Sequence, residues 1–103
     1  MALPTLSPEQ RQKALEKARE ARAARSALLA DLKEGMISLA DVLGREDNTA
    51  RRTKVAQLIR ALPGVGPARA SAAMERVGIM SDRRVGGLGV RQREELLEEF
   101  ADR

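Results

Sequence analysis

The sequence predicts an all-α protein in which a long N-terminal helix precedes a compact helical domain. Apolar residues recur at helical spacing in successive segments, and no segment alternates apolar and polar residues over strand length. Glycine and proline separate these segments, as is typical of turns. With 103 residues the chain suffices for one modest core. We expect residues 1–35 to form a tail and a long basic helix, and residues 36–103 to form the compact domain.

The first helix has clear start and stop signals. Ser7 is the predicted N-cap, Pro8 occupies the first helical position, and Gln10 completes a capping box. The helix is expected to run to about Lys33, with Gly35 closing it. Residues 1–6 are expected to be irregular.

The two halves of this helix differ in composition. The second half carries three leucines suited to docking on a core, Leu28, Leu29 and Leu32. The first half has only a thin apolar stripe and a row of basic residues that includes Arg11, Arg19, Arg22 and Arg25. Two interpretations stay open for it. It is either a solvated helix stabilised by weak i,i+4 charge pairs or a protruding basic arm that meets DNA or a partner.

Shorter helices follow. Residues 38–43 predict a capped helix that begins after Ser38, whereas the polar, aperiodic stretch 44–52 predicts a loop. A helix resumes from Thr53 with a complete apolar stripe at Val55, Leu58, Ile59 and Leu62. After the break at residues 63–67, another helix buries Ala70, Ala73, Met74 and Val77 and ends at Gly78. A glycine-rich basic loop over 81–89 precedes a last helix from about Val90 to Phe100, which faces Leu96, Leu97 and Phe100 inward.

Composition excludes several classes of function. The net charge is +4, and the pI of about 10.3 is typical of nucleic-acid binders. The chain has no cysteine and no histidine, so thiolate metal sites and the commonest general base are absent. Its one aromatic residue, Phe100, gives little support to single-strand binding by base stacking. We therefore predict no catalytic residues, cofactor or metal. Without a signal peptide or an apolar span, we predict a cytoplasmic protein that makes no use of a membrane.

The most informative stretch is residues 59–70, which combine a helix, a tight glycine turn and a second helix. Gly64 and Gly66 permit positive φ and keep side chains away from a close ligand, and Pro67 suits the first helical position. Backbone N–H groups at such a helix start bind phosphate. The plain alternative is a corner between two helices. The pattern Leu-Pro-Gly-Val-Gly followed by Arg69 is typical of the helix-hairpin-helix class, which contacts DNA backbone without reading bases.

Basic residues form a second candidate cluster. Arg83 and Arg84 precede a glycine-rich segment, which predicts a flexible loop able to follow phosphates or enter a minor groove. The alternative is a solvated surface turn. Three further basic residues open the helix that leads to the hairpin, where they oppose its dipole, namely Arg51, Arg52 and Lys54. This unfavourable interaction with the helix dipole is easier to understand if these residues bind an anion.

The order of these segments resembles the actinobacterial integration host factor family, the nucleoid-associated proteins of mycobacteria and streptomycetes. The resemblance covers nearly the whole chain. It is carried by Ala2-Leu3-Pro4, residues 9–11 and 14–18, Leu39 with Val42, Lys54-Val55, residues 62–66, Arg69-Ala70, Arg83-Arg84, residues 87–89, Leu97 and Phe100.

The resemblance implies a helix-two-turns-helix DNA-binding domain over residues 36–103. By resemblance, Gly64, Val65, Gly66 and Arg69 contact phosphates, Arg83 and Arg84 are basic contacts of the loop, and Lys54 flanks the same face. It also implies a protein that binds double-stranded DNA with little sequence preference, bends or compacts it, and assists a phage-type integrase. We predict that the protein is a monomer. Two departures remove charge expected from relatives: Pro67 follows the hairpin and Gly86 replaces a loop arginine.

Two other functions use the same module. A structured-RNA-binding protein is the main alternative, because a ribosomal small-subunit protein carries a similar module; the lack of a lysine-rich C-terminal tail argues against it. Base-excision glycosylases carry it too, but they need a positioned nucleophilic amine or buried acid and a pocket for a flipped base. The sequence offers no second lobe to form that pocket.

Overall fold

The computed structural model describes residues 5–101, and there it contains six α-helices and one 3₁₀ turn. The helices are α1 (Pro8–Lys33), α2 (Leu39–Leu43), α3 (Asn48–Arg52), α4 (Val55–Arg60), α5 (Pro67–Val77) and α6 (Val90–Glu99), and the 3₁₀ turn is Val85–Gly87. Within this range the only extended pairing is an isolated antiparallel bridge between Lys54 and Arg84. The all-α prediction is confirmed.

Helix α1 begins and ends as its sequence predicts. The Gln10 amide donates to Ser7 Oγ at 3.1 Å, and the Ser7 amide donates to Gln10 Oε1 at 2.9 Å, so the capping box is complete. The helix ends at Lys33, and Gly35 takes the left-handed conformation with φ 75°. The tail expected over residues 1–6 lies mostly outside the described residues.

The first half of α1 projects from the rest of the molecule. Every residue from 5 to 24 is exposed, whereas Leu28 and Leu32 are buried in the core. The molecule therefore extends 50 Å along its long axis but only 25 Å along its short one. The docking role of the second-half leucines is confirmed, and the division of the chain at residue 35 stays a prediction.

The loop predicted over residues 44–52 is wrong in its second half, because Asn48–Arg52 forms helix α3. The Asp47 side chain accepts from the Ala50 amide at 3.2 Å and caps the first turn. Helix α3 has only five residues and buries one of them, Ala50, so no apolar periodicity marks it in the sequence. Helix α2, by contrast, has the predicted cap: the Ser38 side chain accepts from the Asp41 amide.

One core joins all the helices. The predicted stripe of α4 is buried, and α5 packs beside it through Ala70, Ala73 and Met74. Gly78 ends α5 with φ 81°, as predicted. Helix α6 closes the core through Leu96, with Phe100 buried just beyond its end. None of the helices in residues 5–101 combines the length and low polarity needed to cross a membrane.

Two helix-capping carboxylates make the stability of this fold sensitive to acid. The Ser38 amide donates to Asp41, and the Arg45 side chain and then the Ala50 amide donate to Asp47, which lowers the pKa of both carboxyls. A lowered pKa means that the stabilisation is present at neutral pH and is lost as pH falls through the folded-state value. We expect the free energy of unfolding, measured in urea, to fall between pH 5 and about pH 3. In the variant Asp41→Asn/Asp47→Asn this dependence should be shallower, and an unchanged pH profile would contradict the assignment.

Candidate nucleic-acid interface

The turn between α4 and α5 uses its two glycines differently. Gly64 has φ 74°, a left-handed conformation in which other residues are strained. Gly66 has φ −92° and ψ 175°, which any residue adopts, and a Cβ atom there would meet nothing within 4 Å among the described residues. The expectation of positive φ therefore holds for Gly64 and is wrong for Gly66. The fold of this chain does not itself require a glycine at position 66, whereas close approach of an external group would favour one.

Several backbone N–H groups lie unused at the start of α5. Within residues 5–101 the amides of Gly64, Gly66, Ala68 and Arg69 donate no hydrogen bond, and no described side chain caps the helix. We call these four amides the hairpin cradle. They lie at the positive end of an eleven-residue helix dipole. Val65 is different, because its amide donates to the Leu62 carbonyl at 3.1 Å and its side chain is buried, so it has no donor for a ligand.

Arg69 projects from the first turn of α5 toward the end of α6. Its guanidinium carbon lies 5.2 Å from the centroid of the Phe100 ring, a cation–π contact. The side chain is half-buried, and the ring restricts the directions in which the guanidinium can reach. The structure therefore sets Arg69 beside the hairpin cradle but apart from the cleft that Lys54 lines.

The segment of residues 81–89, which we call the arginine loop, is tied to the core. The Val55 amide donates to the Arg83 carbonyl at 2.9 Å, and the Val85 amide donates to the carbonyl of buried Thr53 at 3.0 Å. A 3₁₀ turn follows over Val85–Gly87. The prediction of a flexible loop is wrong, because these non-local hydrogen bonds hold it against the start of α4. They also set Lys54 directly beside Arg84.

Arg51 and Arg52 do not open a helix, as the sequence suggested, but end one. They form the last turn of α3, where positive charge favours the helix dipole. Contrary to the prediction, Arg51 and Arg52 therefore do not oppose a helix dipole, although the fold still brings both to the arginine loop. The Arg84 guanidinium donates to the Arg52 carbonyl. The Arg51 side chain lies against Gly86, where an added Cβ would approach Arg51 Nε to 3.2 Å.

The structure adds to this surface two basic residues that the predicted site did not include. Arg60 lines a cleft of about 300 Å³ between α4 and α5 that also contains Lys54 and Pro67. Arg25 lines a groove of about 230 Å³ that also contains Arg52 and Arg84. A sequence signal existed for Arg25, because it lies three residues before Leu28 and so faces the docked side of α1.

The charges of this surface are not neutralised internally. The ion pairs formed within residues 5–101 are Arg45–Asp47, Arg76–Glu99 and Arg91–Glu95. None of these pairs, in the described part of the chain, includes a basic residue of the hairpin or the arginine loop. Three acidic side chains lie beside the last turn of α5, namely Glu95, Glu98 and Glu99, and Asp82 is the one carboxylate of the arginine loop, where it lines a surface pocket with Arg83 and Arg84. The molecule therefore has a cationic face available for anions.

Comparison with known proteins decides the family. The model of the S13-like H2TH domain family matches residues 32–100. The chain is 48% identical over 102 residues to the integration host factor of Streptomyces coelicolor, covering 97% of this chain and 95% of that protein. It is 47% identical over 102 residues to the integration host factor of Mycobacterium tuberculosis, covering 97% of each. This chain belongs to the integration host factor family.

The structural comparison agrees. A solved structure of sIHF bound to an 8-bp palindromic DNA superposes on this integration host factor family member with a TM-score of 0.79. The two are 44% identical in sequence, and the match covers 82% of this chain and 98% of the other. The predicted resemblance and the predicted fold, a long N-terminal helix followed by a helix-two-turns-helix domain, are therefore confirmed.

Proposed function

We propose that this protein is a nucleoid-associated architectural protein that binds the backbone of duplex DNA largely without sequence specificity. The observation that carries the proposal is that the hairpin cradle and the arginine loop, two phosphate-binding elements of different chemistry, are joined through Lys54. Lys54 pairs with Arg84 through the bridge and lines the same cleft as Pro67 at the start of α5.

The hairpin cradle suits one phosphate group. Free amides at a positive helix end donate to an anion without reorganisation, and the missing side chain at Gly66 leaves the approach open. Such contacts are made to the DNA backbone and carry no base information. Gly64 shapes the turn and, with Gly66 and Arg69, supplies amide donors, whereas Val65 contributes packing.

The arginine loop supplies guanidinium groups for neighbouring phosphates. Arg83 and Arg84 are exposed, as are Arg51, Arg52 and Lys54. The two departures from the family pattern are offset nearby. Arg51 lies where a side chain at residue 86 would extend, and Lys54 with Arg60 flanks Pro67. The proposed surface therefore keeps its positive charge although Pro67 and Gly86 contribute none.

The names of the relatives, and the DNA bound in the solved structure, support a wider role. We propose that this protein bends or compacts DNA, acts as a monomer in the nucleoid and assists a phage-type integrase without catalysing a reaction itself. The relatives are named integration host factor, and the solved neighbour holds DNA. These comparisons do not favour the structured-RNA alternative.

Salt dependence of binding tests the proposal. If about five cations each neutralise one phosphate, log K falls with log salt at a slope of about −4.5, and a rise from 50 to 200 mM salt weakens binding about 500-fold. The measurement is fluorescence anisotropy with two unrelated duplexes and one RNA hairpin. Both duplexes should give the same slope and similar affinity, and the RNA should bind more weakly. Tighter RNA binding, or affinity indifferent to salt, would contradict the proposal.

A further inference from the structure

Arg93 is an arginine that the proposed interface does not use. It lies in the first turns of α6 and is half-buried. Its guanidinium donates to the carbonyl of Leu43 in α2, to that of Val85 at 3.3 Å, and to that of Leu88 at 3.5 Å. No carboxylate pairs with it among residues 5–101.

The three carbonyl groups lie on two separate segments. Leu43 ends α2, whereas Val85 and Leu88 bracket the 3₁₀ turn directly after Arg83 and Arg84. Hydrogen bonds from an ionised donor are stronger than those between neutral groups. Arg93 therefore holds the inner side of the arginine loop to α2 and α6, while the Thr53 and Val55 hydrogen bonds hold its outer end to α4.

We propose that Arg93 is a positioning residue for DNA binding, which fixes the arginine loop so that Arg83 and Arg84 face consecutive phosphates. The inference rests on the proposed function and deepens it. Arg93 does not itself contact the nucleic acid, because its donors face backbone carbonyls of the protein. Because Arg93 already fixes the loop, Arg83 and Arg84 lose less conformational entropy when they bind DNA.

Lysine cannot replace arginine in this position. A guanidinium presents five N–H donors in a rigid fork, whereas an ammonium group is a single point on a flexible stem. Arg93→Lys therefore keeps the charge and loses the three-way contact. We expect Arg93→Lys to weaken duplex binding about tenfold, which corresponds to the entropic cost of immobilising two long side chains on binding. The salt slope should stay unchanged. Arg93→Gln should weaken binding to a similar extent, and the matched control Arg91→Lys, on an exposed part of the same helix, should bind as the wild type does.

A thermodynamic cycle separates positioning from general destabilisation. In the Arg83→Gln/Arg84→Gln background, Arg93→Lys should cause no further loss of affinity, because the groups that it positions are gone. An equal tenfold loss in that background would show a general structural role and overturn the proposal. So would wild-type affinity for Arg93→Lys together with a salt slope reduced by about 0.9 for Arg93→Gln, the signature of a direct phosphate contact.

Amide hydrogen exchange tests, without DNA, whether Arg93 fixes the arginine loop. In Arg93→Lys the amides of Gly87 and Leu88, which donate to Arg84 and Val85, should exchange faster, while those within α5 stay protected. Arg93→Gln provides a second variant should the lysine variant unfold. Unchanged exchange at Gly87 and Leu88 in a folded variant overturns the proposal. If the wild type did not bind DNA in a salt-dependent way, the proposed function would be overturned. The exchange result for Arg93→Lys would still stand.

Discussion

Replacing both loop arginines, Arg83→Gln and Arg84→Gln, should weaken binding to any duplex about 60-fold at 0.1 M salt and reduce the salt slope by about 1.8, the effect of two lost phosphate contacts. The reason is that both side chains are exposed and free of internal ion pairs within the described residues. Arg84 also donates to the Arg52 carbonyl, so thermal unfolding should be measured in parallel.

The matched control removes the same charge elsewhere. Arg76→Gln/Arg91→Gln lowers the net charge by two at the opposite end of α5 and on α6, where both arginines pair with glutamates. If binding depends on the cationic face and not on net charge, this control should change affinity only a few-fold. Equal losses in the two double variants would show that the arginine loop has no special role.

Gly66→Asp should move stability and DNA affinity in opposite directions. The φ and ψ of Gly66 suit an N-cap residue, and a Cβ there meets no described atom, so aspartate can cap α5 and favour its dipole. We expect the free energy of unfolding to rise by about 0.5 kcal/mol. A carboxylate in the hairpin cradle replaces a phosphate with a fixed negative charge, so duplex affinity at 0.1 M salt should fall about 10- to 60-fold, equivalent to one or two phosphate charges.

Gly66→Asn is the neutral control for this change. Asparagine caps a helix about as well as aspartate but adds no charge, so it should stabilise α5 with a smaller loss of affinity. Urea unfolding and anisotropy titrations measure the two effects on the same samples. If Gly66→Asp bound duplex DNA as well as Gly66→Asn does, the start of α5 would not be a phosphate site.

Local signals in the sequence predicted most of the helices. The capping box at Ser7, the N-cap at Ser38, the apolar stripe of α4 and the closing glycine at residue 78 each act within a few residues, so each is visible in the sequence. Helix α3 escaped prediction because its signal is one capping aspartate and one buried alanine. The misplacement of Arg51 and Arg52 followed directly from missing that helix.

The candidate site was predictable in its residue types but not in its arrangement. Glycines and arginines indicate phosphate binding by their chemistry. The hydrogen bonds that fix the arginine loop, however, join residues about thirty positions apart and leave no local pattern. The same holds for the contact between Arg69 and Phe100 and for the role of Arg93, whose acceptor in α2 lies 50 residues away. Val65 belongs to a shared motif, yet only the structure shows that its amide is already occupied.

A two-dimensional ¹H–¹⁵N NMR titration of the protein with a short unlabelled duplex shows which backbone amides meet the DNA. We expect the largest shifts on the amides of Gly64, Gly66, Ala68 and Arg69 and on residues 83–87, with little change around Glu95, Glu98 and Glu99. If the hairpin amides stayed unshifted while the duplex was bound, the phosphate cradle at the start of α5 would be contradicted.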